Sequence, residues 1–197
     1  MNGEIREQDQ SERVKNEVVA LLAQYNIPTE KWGTGSAKTL DHLVKEVVDG
    51  ETVLEVDESG ELVRKISVAF VDVYYDDATT GKKLILVEEK QVFKDGRERR
   101  REPKASLAEK IKPGETPDQD AVRRAIQEEL GISGPIPAAE KRREENTKET
   151  GSYPGLKMDA MEYYFDVELN SEQYNPEGYV EHQEDKDTYF KWVKLEE

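Results

Sequence analysis

Two segments near the N-terminus carry apolar residues at helical spacing. Residues 11–25 predict a helix that Ser11 can cap, with apolar positions three or four residues apart: Val14, Val18, Leu21, Leu22 and Tyr25. Residues 40–48 predict a second helix, with Thr39 as its N-cap and Gly50 just past its end. Together the two predict a helical N-terminal extension.

Apolar runs after these helices predict β-strands. Residues 52–56 and 66–75 are separated by turn residues at 58–60 and predict a hairpin, and residues 84–87 are typical of a strand buried on both faces. Residues 161–169 and 189–195 predict the last two strands. Because one central helix lies between the strands without regular alternation, a mixed sheet flanked by helices is favoured.

Two polar segments separate these elements. Residues 94–112 are charged and irregular, and residues 133–155 form a long polar connection with three prolines. A connection of that length suits either a binding loop or a mobile one, and both interpretations stay open. The basic stretch in the first segment suits either a solvated hairpin or an arm near a phosphate ligand: Arg97, Arg99, Arg100 and Arg101, interleaved with Glu98 and Glu102.

Composition narrows the classes of function. The chain of 197 residues has a formal net charge of −15, which opposes nucleic acid as the main ligand because a polyanion would meet mostly like charge. It has no cysteine, which excludes disulfides, zinc–thiolate sites and thiol nucleophiles. It shows neither a secretory leader pattern nor a run of about 18 apolar residues. We therefore expect a cytoplasmic protein with no membrane partner.

One segment combines a loop, a helix and closely spaced charges. A helix is predicted from near Asp120 to Gly131. Arg124 precedes Glu128 by one helical turn, and Glu129 follows directly. By themselves, two glutamates near a helix end are more simply explained as exposed charges, so the wider pattern decides the interpretation.

The wider pattern resembles the Nudix hydrolase family. The family motif is a glycine, five residues, Glu, seven residues, then Arg-Glu-apolar-x-Glu-Glu-x-Gly-apolar. The matching positions in this chain are Glu115, Arg124, Ile126, Glu128, Glu129, Gly131 and Ile132. The resemblance covers roughly residues 64–195, so the first helices lie outside it.

Three departures from the motif are visible. Eight residues instead of seven separate Glu115 from Arg124, which implies a one-residue insertion around residues 118–120 that a loop can absorb. Glu109 stands where the motif opens with glycine, which changes what the local turn can adopt. Ala125 replaces a glutamate, and because positions 125 and 129 lie one helical turn apart, it removes one carboxylate from that face.

The resemblance implies a fold and a domain division. We expect an α/β protein: a Nudix-like α/β/α sandwich with a mixed β-sheet and an N-terminal helical extension. Residues 1–60 would form the extension and the first strand, and residues 61–197 the Nudix-like domain.

The resemblance also implies a reaction and its residues. It is the hydrolysis of a nucleoside diphosphate linked to another moiety, with Mg²⁺ or Mn²⁺ held by Glu115, Glu128 and Glu129. Glu128, Glu129 and Arg124 are the catalytic candidates, with Arg124 orienting the glutamates through its (i, i+4) relation to Glu128. The general base has no assignment, since Ala125 stands at the position that supplies it.

Several residues outside the motif are also considered for the site. In the family another carboxylate often comes from the loop before the last strand, where Glu181 and Glu184 lie, although each alone suits a solvated loop. His42 and His182 are interpreted as surface or packing residues, and Tyr153 either stacks on a ligand ring or packs under its loop.

The alternative function is a catalytically inactive Nudix-fold module that binds a nucleotide-like ligand or a protein. Ala125 favours this module, whereas retention of Arg124, Glu128 and Glu129 favours an enzyme. In either case we expect a small nucleotide-like molecule as the main ligand, and a homodimer stays open.

Overall fold

The computed structural model describes residues 2–100 and 105–195, with side chains from residue 11 onward. Arg101 and Glu102 of the basic stretch lie outside the described residues. The helices are α1 Asn2–Gln24, α2 Leu40–Val48 and α3 Val122–Leu130, and a π-helical turn spans Pro117–Ala121. The strands are β1 Val53–Val56, β2 Leu62–Asp77, β3 Lys82–Phe93, β4 Glu98–Arg99, β5 Leu107–Lys110, β6 Ala138–Glu149, β7 Lys157–Glu168, β8 Tyr179–His182 and β9 Lys186–Lys194.

The predicted α/β class with a mixed sheet and few helices is confirmed. Hydrogen-bonded neighbours follow the order β6, β7, β2, β3, β9, β8, while β1 and β5 pair with β2, and β4 pairs with β3. Two compact units are distinguished. The first contains residues up to Ser67 with Lys112–Gly114 and Glu144–Met161, and the second contains Val68–Ile111, Glu115–Arg143 and the chain from Glu162. Within the described residues, no helix is both long and apolar enough to cross a membrane.

The first unit has its own core beneath α1 and α2. Both helices were predicted, but α1 begins at Asn2, so Ser11 lies inside the helix and the prediction that it caps the start was wrong. The cap of α2 is confirmed, because the Thr39 hydroxyl accepts from the His42 backbone N–H while the His42 ring accepts from the Thr39 N–H. Tyr153 is fully buried in this core beside Trp32, which confirms packing as its role.

The second unit packs α3 onto one face of the sheet. The buried face of the helix consists of Val122, Ala125, Ile126 and Leu130. It meets inward-facing residues of β2, β3, β7 and β9, which share one hydrophobic core: Ala69, Val71, Val73, Leu86, Phe165, Val167 and Phe190. This packing fixes the side of α3 that faces away from the core, where Glu128 and Glu129 lie.

Strands β2 and β3 separate part-way along their length. They pair over Tyr74–Asp77 and Lys82–Ile85, and beyond that point β5 pairs with β2 at residues 68–71. Ser106 lies at the fork: its hydroxyl accepts from the Val73 N–H (3.0 Å) and donates to the Leu86 carbonyl (2.5 Å). The serine therefore replaces backbone pairing where the two strands part.

The predictions for the polar segments were wrong in part. Residues 94–112 contain β4 and β5, and residues 133–155, predicted to be a loop, contain the strand β6. At the end of the strand order β6 exposes charged residues on both faces, so it lacks the alternation that signals a strand, while its charges discourage pairing with another chain. Glu181, predicted to lie in a loop, is on strand β8, which pairs with β9.

Candidate active site

The motif helix begins with an unusual turn. The extra residue before Arg124 was predicted to be absorbed in a loop, but it is absorbed in the π-helical turn Pro117–Ala121, whose wider ring accommodates one added residue. Asp120 holds the start of the turn, because its carboxylate accepts from both the backbone N–H (2.8 Å) and the hydroxyl (3.0 Å) of Thr116. Gly131 ends α3 in the left-handed conformation, with φ 69°. The insertion thus leaves the register of the following helix intact.

Arg124 joins the helix to the loop and strand before it. Its guanidinium donates to both oxygens of Glu115 (Nε 3.1 Å and Nη2 2.8 Å) and to the Lys110 carbonyl (2.7 Å). Its Nη1 lies 2.6 Å from Oε1 of Glu109. Hydrogen bonding to Glu115 is the largest cause that raises the pKa of Arg124. The expected contact with Glu128 is not among these, so the visible role of the arginine is to hold Glu115 and Glu109.

A polar cavity of about 250 Å³ lies beside the end of α3. Strands β3 and β5 contribute walls, and so do α3, β8 and β9. The lining residues include five carboxylates and one lysine: Glu88, Glu109, Glu128, Glu129, Glu181 and Lys186, with Gln91, Ala108, Gln183 and Thr188. The predicted pair Glu128 and Glu129 therefore shares its cavity with three carboxylates supplied by strands.

The carboxylates in this cavity affect one another. Burial is the largest cause that raises the pKa of Glu109, and the charge of Glu128 raises it further. Burial also raises the pKa of Glu181, to which the charge of Glu109 contributes. Crowded carboxylates disfavour their own ionisation, so the cavity favours a cationic ligand that would offset the shared negative charge.

Gln91 connects the cavity to Arg99 of the basic stretch. Its carbonyl oxygen accepts from Nε (3.0 Å) and Nη2 of Arg99, and its amide nitrogen donates to Oε2 of Glu88 (3.2 Å). Because the arginine can only donate, it fixes which end of the amide faces the carboxylate. Arg99 therefore contacts a cavity residue and, through Gln91, orients the amide that faces Glu88.

Thr188 presents a buried hydroxyl to the same cavity. The residue is 2% exposed, and its Oγ1 is buried without a partner in hydrogen-bonding geometry. It is close enough to Glu181 to help lower the pKa of that carboxyl against the larger effect of burial. A buried hydroxyl normally finds a partner, so this one marks a place where a ligand oxygen or water fits.

Sequence comparison assigns the family. The NUDIX domain model matches residues 63–197, which is more than half of the chain. The chain belongs to the Nudix family. Proteins of this family generally use divalent metal ions. A comparison with curated proteins found no match.

Several solved structures of Nudix proteins resemble the chain at low identity. An Ap4A hydrolase from C. elegans is 18% identical with a TM-score of 0.37, over 66% of this chain and 80% of that one. The NUDIX domain of Shewanella oneidensis NrtR, complexed with ADP ribose, is 10% identical with a TM-score of 0.36, over 66% and 73%. The Nudix hydrolase RenU from M. smegmatis is 13% identical with a TM-score of 0.37, over 72% and 79%. Likeness at this level does not identify a substrate.

The Nudix box residues divide between two cavities. Glu115 lines a neighbouring cavity of about 310 Å³ with Arg124 and Glu128. Glu128 therefore lines both cavities. Glu129 lines the acidic cavity described first, and Glu115 lines the neighbouring one. Ala125 lines neither, because it is fully buried in the core. The structure therefore brings Glu128 and Glu129 together and places Glu115 on the other side of Arg124.

Sequence reasoning missed several residues of this site. Four residues that line the cavity were not singled out as site residues from the sequence: Glu88, Gln91, Lys186 and Thr188. A weak signal existed at Glu88, a charged residue at a position that continues the buried alternation of Leu86. Glu184, the other predicted loop carboxylate, is exposed in the turn after β8.

The donor chemistry of the first cavity fits a hard divalent cation. Mg²⁺ and Mn²⁺ prefer oxygen ligands, and the five carboxylates supply them from four elements. In the part of the chain that is described, no three acidic or histidine side chains are close enough to hold an ion as they stand. Binding therefore requires the carboxylates to move closer together, which a cation would favour by offsetting their repulsion.

Proposed function

We propose that the protein is a Nudix-type hydrolase that cleaves a nucleoside diphosphate linked to another moiety, with Mg²⁺ or Mn²⁺ as its cofactor. The observation that carries this proposal is the arrangement of Glu128 and Glu129 around one cavity with three further carboxylates. Packing does not require five acidic groups at one place, and their repulsion has a cost in stability. A cationic cofactor explains why they lie together.

In this proposal Glu128 and Glu129 hold the cation. A divalent ion bound there would offset the charge of the substrate phosphates and lower the pKa of a bound water. Lys186 lines the same cavity and supplies a positive charge suited to a phosphate oxygen. Arg124 holds Glu115 and Glu109 with different nitrogens of its guanidinium and thereby ties the loop and β5 to the helix.

Glu115 remains a predicted ligand with an additional role. Both of its oxygens accept from Arg124, in the paired geometry that fixes an arginine most firmly. Its contacts therefore support a role in orienting Arg124, and a direct role in metal binding stays a prediction. Glu115→Gln weakens both roles. Metal affinity measured on that variant gives the contribution of Glu115 apart from the contributions of Glu128 and Glu129.

The second candidate is a non-catalytic binding module. The burial of Ala125 favours it, because the box helix then offers the cavity one carboxylate fewer than the family motif. Such a module would bind a nucleotide-like ligand in the same cavity without turning it over. The two candidates differ in turnover and agree in ligand binding, so both must be measured.

The deciding experiment is hydrolysis of a substrate panel by the purified full chain. The panel contains ADP-ribose, nucleotide sugars, dinucleoside polyphosphates and nucleoside triphosphates, each with Mg²⁺ or Mn²⁺. We expect phosphate or nucleotide release from at least one member, abolished in Glu129→Gln and retained in Glu172→Gln, whose side chain is exposed elsewhere. Titration of a non-hydrolysable analogue of each class runs alongside. Binding without turnover in the wild-type chain would instead establish the binding module.

A further inference from the structure

We propose that Glu109 supplies, from strand β5, the carboxylate that the Nudix box lacks at Ala125. The inference rests on the proposed function, because it assigns one more ligand to the same divalent cation. It concerns a position where the family motif has glycine, so the motif itself does not point to it. The structural basis is the position of Glu109 on the wall of the cavity that Glu128 and Glu129 also line.

The helix position cannot take part in the site. Ala125 is 0% exposed and lies in the hydrophobic core with Val122 and Ile126. From α3, the acidic cavity therefore receives only Glu128 and Glu129. A third carboxylate that approaches the same cavity must come from a neighbouring element.

Strand β5 is the element that α3 packs against at this place. Glu109 pairs with Ala69 of β2 through the backbone, so its own backbone is extended and has no need of glycine. Its side chain is 20% exposed, and Oε1 lies 2.6 Å from Nη1 of Arg124. Strand β5 fixes the backbone of Glu109, and Arg124 fixes the position of its carboxylate. Arg124 thus holds the Glu109 carboxylate at the wall of the cavity, from which it moves closer to Glu128 and Glu129 when a cation binds.

An independent feature of the cavity points to a ligand. Thr188, on β9, lines the cavity with a buried hydroxyl that has no partner in hydrogen-bonding geometry. A hydroxyl in that position can donate to a ligand oxygen or accept from an ordered water of the cation. The cavity therefore presents an unused polar atom as well as negative charge.

Charge around the cavity supports a divalent ligand. Its five carboxylates face one lining cation, Lys186, and Arg124 is shared between Glu109 and Glu115. These two positive groups are outnumbered by the five cavity carboxylates and Glu115. A divalent cation bound to Glu109, Glu128 and Glu129 would do so at the centre of the repulsion.

The test measures metal affinity directly, apart from turnover. Mn²⁺ is titrated into the full chain, and free Mn²⁺ is followed by its electron paramagnetic resonance signal. We expect Glu109→Gln to weaken Mn²⁺ binding at least about 10-fold, since even residues that only support metal ligands typically contribute that much. The amide keeps the size of the side chain and still accepts from Arg124.

Two further variants complete the design. Glu109→Asp keeps the charge for Arg124 but shortens the reach, so we expect intermediate affinity. Glu172→Gln removes an exposed carboxylate elsewhere and should bind Mn²⁺ as the wild-type chain does. Circular dichroism of each variant verifies that it is folded, and if Glu109→Gln does not fold, Glu109→Asp decides.

The outcomes separate this inference from the proposed function. Wild-type affinity in folded Glu109→Gln, or in Glu109→Asp if that variant decides, overturns the role of Glu109, even if the chain hydrolyses its substrate. Weakened Mn²⁺ binding in the variant supports the role, even if no member of the substrate panel is hydrolysed. Absence of Mn²⁺ binding by the wild-type chain at millimolar concentrations overturns it as well.

Discussion

Removal of one buried hydroxyl should weaken the fork that shapes the site. In Ser106→Ala, the Val73 N–H loses its acceptor and the Leu86 carbonyl loses its donor, at a residue that is 5% exposed. Each buried backbone group left without a partner costs about 1–3 kcal/mol. Two such groups predict a loss of about 2–6 kcal/mol in the free energy of unfolding.

Urea denaturation followed by circular dichroism measures this loss. Ser133→Ala is the matched control, because Ser133 is exposed and should change stability by less than about 0.5 kcal/mol. Amide hydrogen exchange adds a local readout, since the Val73 amide should exchange faster in Ser106→Ala than in the wild-type chain. A stability loss below about 0.5 kcal/mol, with the Val73 amide still protected, would refute the role given to the serine.

Three further changes test the packing and charges of the chain. Ala125→Glu places a carboxylate in the hydrophobic core, so the free energy of unfolding should fall by about 3–5 kcal/mol in urea denaturation, with no gain of hydrolysis. Gly178→Ala places Cβ 2.0 Å from the Phe190 carbonyl at φ +82°, so its loss should exceed that of Gly60→Ala, which has φ +84° and open space. Burial raises the pKa of Asp72, so Asp72→Asn should raise the melting temperature at pH 7 relative to wild type.

The sign of the Asp72 effect follows from its raised pKa. The folded chain binds this proton more tightly than the unfolded chain, so the stabilising contribution is complete below the unfolded pKa of about 3.9. It is lost as pH rises through the folded pKa, and the advantage of Asp72→Asn should therefore disappear near pH 3.5, about half a unit below the unfolded value. An equal advantage at both pH values would contradict the assignment.

Matched controls accompany the other two changes. Ala139→Glu adds the same charge at an exposed position and should be nearly neutral, so a similar loss there would remove the argument from burial. If Gly178→Ala and Gly60→Ala lose equal stability, the close approach to Phe190 has no energetic consequence.

Local features of the chain could be predicted because their causes lie within a few residues. The cap at Thr39 and the end of α3 at Gly131 depend on side-chain and backbone conformations next to them in sequence. The extra residue before Arg124 was visible as a spacing, although its π-helical form was not. The strand β6 was missed because its residues, exposed on both faces, carry no apolar period.

The amino-acid sequence by itself determined the helices with clear caps, most strand positions, the family motif and the absence of one box carboxylate at position 125. Only the tertiary structure decided which carboxylates share a cavity and which ones Arg124 holds. Glu88, Glu109 and Glu181 are far apart in sequence and meet through strand pairing and the fork at Ser106. Such pairing depends on backbone hydrogen bonds between distant segments, which no local pattern of side chains specifies.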